Sequence, residues 1–152
     1  MNNYIHRGRT VQEIESKKDH KEGPRITREK ETVLYMITIF CKGKHKYSDK
    51  EKLIVEMLDN SISSNHSIEV ELCNECLELQ QYASKRLSLC RFGENKSTCA
   101  NCAVHCYAPS QRERIKEVMR YAGPRMLWSH PVLTIRHMLD GRGQKTLREL
   151  GS

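Results

Sequence analysis

Apolar side chains recur at helical spacing through most of this chain. In RITREKETVLYMITIFCKGKH, residues 25–45, a single stripe collects Ile26, Val33, Ile37, Phe40 and Cys41. The spacing predicts a helix, with Thr27 able to cap it and Glu29 and Glu31 suited to its positive N-terminal end. Lys42, Gly43, Lys44 and His45 predict the closing turn. SDKEKLIVEMLD, 48–59, predicts a second, shorter helix with Leu53, Ile54, Met57 and Leu58 inward, and NSISSNHS, 60–67, a polar loop. Leu72, Cys76, Leu79, Ala83, Leu87 and Cys90 then recur at steps of 4, 3, 4, 4 and 3, a well-kept helical face. Residues 91–108 read as a loop. PSQRERIKEVMRYAG, 109–123, predicts a helix with Ile115, Val118, Met119 and Ala122 inward, stopped by Gly123-Pro124. A short helix and another from Pro131 follow within 124–140. No alternating strand stands out, so the pattern predicts an all-α fold: a single helical domain over 25–140, with flexible tails at 1–24 and 141–152.

Composition changes this picture in two ways. Apolar residues are 38% of the 152, a low share, so the core is modest or helped by cross-links or metal. Lys and Arg outnumber Asp and Glu by 26 to 19, a formal +7. A basic surface can meet nucleic acid, and Arg112, Lys116 and Arg120 form a stripe at i, i+4, i+8. The plainer reading is a solvated face, since Glu113 and Glu117 interleave with it. Thiolates bound to metal would also lower the net charge. Trp128, with Met126, Leu127, Leu133 and Ile135, reads as core or as a surface for a protein partner.

The N-terminal residues show no apolar leader, and VLYMITIF, 33–40, is too short to span a bilayer. The expected setting is the cytoplasm, with no membrane contact. In a reducing compartment seven cysteines read as metal ligands or redox thiols rather than disulfides.

Their spacing sorts them. Cys73-x2-Cys76 and Cys99-x2-Cys102 each let two thiolates converge on one ion, and Cys106 follows the second pair. A helix from Cys76 to Cys90 is about 21 Å long, so one ion cannot reach both ends. Cys41 and His45, at the end of the first helix, can meet Cys73 and Cys76. Cys90 can meet Cys99, Cys102 and Cys106. Two sites result, one of three cysteines and a histidine and one of four cysteines; His105 is an alternative ligand in the second. For Cys41 and Cys76 the competing reading is a small buried apolar residue, and for His45 a surface histidine. Zinc suits the site with the histidine, and the all-cysteine site suits zinc or an iron–sulfur cluster equally. No phosphate-cradling loop, nucleophile elbow or catalytic triad is visible, so no catalytic residue is assigned, and a small-molecule substrate is left unknown.

The runs CANCAVHCY, MRYAGPRMLWSHP and LTIRHMLD, with ITREKETV and CNECLELQQYASKRL, resemble the nitrous oxide-stimulated promoter family, the YgbA-like proteins of bacteria. The resemblance covers roughly residues 25–45 and 70–140 and leaves 46–69 as an insertion between the two halves of the first site. It implies a part in the response to nitric oxide, and with the thiolate-rich sites the favoured reading is an accessory or sensor rather than an enzyme. The alternatives from the residues themselves are a nucleic-acid-binding zinc module and a CxxC thiol redox protein.

Overall fold

A computed structural model describes residues 23–57, 66–93, 102 and 106–142. Helix α1 runs Pro24–Lys44, strand β1 Lys50–Met57, strand β2 His66–Cys73, helix α2 Asn74–Ser88, helix α3 Pro109–Ser129 and helix α4 Pro131–Arg142. Helix α1 is the hub, with α2, α3, α4 and β2 all packed against it. Its stripe buries Leu34, Ile37 and Cys41 against Leu72 of β2, Leu79 and Ala83 of α2, and Val118 of α3. The cap of α1 is Gly23, with Pro24 in the first turn; Thr27 is buried and its hydroxyl donates to the Gly23 carbonyl at 3.2 Å.

The expectation of an all-α fold is overturned by the antiparallel hairpin of β1 and β2. It replaces the predicted helix at 48–59 and the end of the predicted loop at 60–67. The residues from Ser67 to Cys73, SIEVELC, alternate apolar and polar: Ile68, Val70 and Leu72 are buried, while Glu69 and Glu71 are exposed. β1 answers in register, with Leu53 opposite Val70 and Val55 opposite Ile68. Ile54 points away, 61% exposed, where a helix would have turned it inward. The β-branched residues Ile54, Val55, Ile68 and Val70 favour the pleated form. Leu72 disguised the strand, because it faces the same core as Cys76 and so fits the helical count that follows it.

A second correction concerns Pro124, which lies inside α3 rather than ending a helix. The buried stripe of α3, Ile115, Val118, Ala122 and Met126, continues past it at steps of 3, 4 and 4. Burial of Met126 holds the helix together through a residue that removes one backbone donor, and Pro124 itself is on the exposed side. α4 continues to Arg142, two residues beyond the predicted domain end. Among the described residues, no helix is long and apolar enough to cross a membrane.

Candidate metal centre

Three elements converge where α1 ends, β2 ends and α2 begins. Cys41 lies in the last turn of α1, and the amide of His45 donates to the Cys41 carbonyl at 3.0 Å, closing the helix with both side chains toward β2. Cys73 is the final residue of β2 and also the N-cap of α2, which places Cys76 in the first helical turn. The CxxC pair therefore straddles a strand-to-helix junction, a tight bend that brings its two sulfurs together.

The ligand atoms of Cys41, His45, Cys73 and Cys76 all lie within 4.8 Å of one another. His45 Nδ1 is 3.2 Å from Cys73 Sγ and 3.3 Å from Cys76 Sγ. The three cysteines are buried and His45 is half-buried. The Cys73 amide donates to Cys41 Sγ at 3.3 Å. Burial works against ionising Cys73, yet hydrogen bonds from the Cys76 backbone and side chain, from the Cys41 side chain and from the Glu75 backbone take its thiol below the ordinary range. The start of a helix suits a thiolate there. Burial, and then the neighbouring sulfurs, push Cys76 up; Cys41 is also raised, chiefly by burial. Three buried sulfurs this close shed their protons together only beside a cation. With three sulfurs and one imidazole nitrogen, the cluster can hold a metal ion.

Two further groups fix the geometry, and neither is marked by any sequence spacing. The Lys50 ammonium donates to the carbonyls of His45, Lys46 and Ser48 at 2.9, 3.2 and 3.3 Å, tying down the turn after α1. The ring of Phe40 meets His45 edge-on, with centroids 5.4 Å apart. A cleft of about 290 Å³ reaches His45 and Cys76 between Phe40, Leu79 and Val118, with Lys44, Arg114 and Glu117 at its walls.

The other expected site is only partly within view. Cys99 and the alternative ligand His105 lie outside the described residues. Cys90 follows the far end of α2, its amide donating to the Leu87 carbonyl at 3.1 Å, so it is separated from the first cluster. Among the described residues, Cys90, Cys102 and Cys106 do not form a comparably close group, and no described cysteine is in a disulfide. On α3, Lys116 pairs with Glu113 at 2.8 Å, as expected of an interleaved surface stripe.

The family profile described as "Nitrous oxide-stimulated promoter" (YgbA_NO) matches residues 46–149, more than half of the chain. The chain belongs to the nitrous oxide-stimulated promoter family. The match agrees with the resemblance carried by the cysteine-rich and C-terminal runs, but it takes in residues 46–69, expected to be an insertion, and leaves out residues 25–45. Cys73 and Cys76 lie inside the matched span of this family member, whereas Cys41 and His45 precede it. The chain is also 59% identical over 61 residues to the "Uncharacterized protein YgbA" of Escherichia coli (strain K12), an alignment covering 40% of the chain and 52% of that protein. The chain thus spans about half the length of the curated relative it matches. No solved structure matches it.

Proposed function

We propose that this member of the nitrous oxide-stimulated promoter family holds zinc between Cys41, His45, Cys73 and Cys76 and acts in the bacterial cytoplasm as a sensor or accessory of nitric oxide stress. The observation that carries this reading is the convergence of four ligand atoms within 4.8 Å. Zinc–sulfur bonds of about 2.3 Å and zinc–nitrogen bonds of about 2.0 Å set a tetrahedral sulfur and nitrogen roughly 3.5 Å apart. The 3.2 and 3.3 Å contacts of His45 Nδ1 are close to that requirement. A multi-iron cluster interposes iron and sulfide atoms and needs its ligands farther apart, so this donor set favours a single ion. The family description supplies the link to nitrogen oxides. Thiolates are the groups such agents modify. A nitrosating agent of the dinitrogen trioxide class forms a sulfur–nitrogen bond at one thiolate and releases nitrite, and that sulfur then ceases to hold the ion. The cleft beside His45 and Cys76 supports access for such a reagent.

Protein purified without oxygen and analysed for metal tests this. The expected result is zinc, no visible charge-transfer bands, and zinc released to a chromogenic chelator on exposure to a nitrosating agent. Cys76→Ser should weaken zinc binding by more than about 100-fold, beyond the cost of an outer-shell change. A preparation lacking both zinc and iron would overturn the proposal, and iron with visible bands would replace zinc by a cluster.

A further inference from the structure

Helix α4 is turned the opposite way from an ordinary surface helix. Its polar side faces α1: His137 Nδ1 is 3.3 Å from Glu29 Oε1, and Asp140 pairs with Arg25 at 3.3 Å and Arg28 at 3.7 Å. Glu29 is 3% exposed, and its contact with His137 together with the Asp140 pairs sets the rotation of α4 about its axis. The rotation is therefore fixed, and it points the apolar stripe outward. Leu127, Trp128, Val132, Ile135, Met138 and Leu139 are between 46% and 87% exposed. An amphipathic helix normally buries that stripe.

We propose that a second copy of this chain covers this stripe, so that the protein is a two-fold symmetric dimer joined through the end of α3 and the outer face of α4. Three features favour a second copy. Val132, Ile135 and Leu139 of α4 follow one another at steps of 3 and 4, the seam spacing of paired helices, and Trp128 at the end of α3 adds to the exposed apolar surface. A two-fold axis lays such a seam on itself, as an isologous interface requires. The exposed share of these six side chains is on the order of 700 Å², against about 800 Å² per partner in a standard interface and roughly 300–600 Å² for the largest patch of a typical monomer. The stripe contains no charged residue and is anchored by tryptophan and methionine, the composition of an interface core. The inference does not depend on the metal centre.

Trp128 is the chain's single tryptophan, so the wild-type protein reports on its own interface. Light scattering and sedimentation should give twice the 17.7 kDa chain mass. Dilution through the dissociation range should shift the indole emission to the red. Ile135→Glu should weaken association at least about tenfold while leaving helix content and metal stoichiometry intact. Met138→Lys provides a second variant if the first misfolds. A wild-type monomer at all concentrations would overturn the proposal. If that monomer had blue emission, the chain's own residues would be the cover. If it sedimented with phosphatidylglycerol vesicles, lipid would be the occupant. A dimer unaffected by both substitutions would place the interface elsewhere and also overturn it.

Discussion

Gly43 has no side chain at the point where Tyr121 of α3 crosses the last turn of α1. A β-carbon there would collide with the Tyr121 hydroxyl and lie 2.6 Å from Cζ. The tyrosine has little room to yield, because Arg125 stacks over its ring at 3.8 Å and Phe40 meets it edge-on. Gly43→Ala should therefore destabilise the fold by about 1–3 kcal/mol, read as a lower urea midpoint with an unchanged slope. In sequence, Gly43 suggested only a helix terminus; the close approach depends on a residue 78 positions away. The pairing of Cys41 and His45 with Cys73 and Cys76 was easier to read, because helical spacing places the first two on one side and CxxC joins the others. Which imidazole nitrogen faces the sulfurs was not legible. The edge-on ring of Phe40 and the local turn orient His45 Nδ1 toward Cys73 and Cys76.

The hairpin shows how one apolar residue can serve two patterns. Leu72 ends an alternation that begins at Ile68, and it also precedes Cys76 by four, so a helical count absorbs it. Pairing with β1 decides between the two readings, and pairing is not a local property. β1 also brings Lys50 opposite Cys73, which delivers the ammonium to the turn after α1. Lys50→Met removes three hydrogen bonds to carbonyls without touching a sulfur. It should lower zinc affinity by about tenfold, the scale of an outer-shell loss, in competition with a chromogenic chelator. The hairpin itself should persist, since Leu53, Ile68 and Val70 remain buried. α3 teaches the reverse lesson: Pro124 is a strong local stop, yet the buried stripe running on to Met126 prevails.

For the molecule as a whole, the Cys–His cluster joins three elements whose shared core is small. If zinc is bound as proposed, its removal should lower the melting temperature by at least about 10 °C in calorimetry, because the preformed cluster would bind the ion more tightly than the unfolded chain does. Acidification should act in the same direction. On the proposed reading, an ion would hold the three sulfurs as thiolates, so the stabilisation it supplies would be present at neutral pH and lost as protons displace it. The hairpin has a further consequence for how such proteins diversify. Lys50 and Cys73 form the pair beside the cluster, and Met57 and His66 form the pair at the opposite end, seven steps or about 23 Å away. Residues added or removed between Met57 and His66 enter at that distal end and leave the ligands in place. The interval between His45 and Cys73 is thus free to drift, and a search that demanded a fixed spacing would pass over proteins built around the same four side chains.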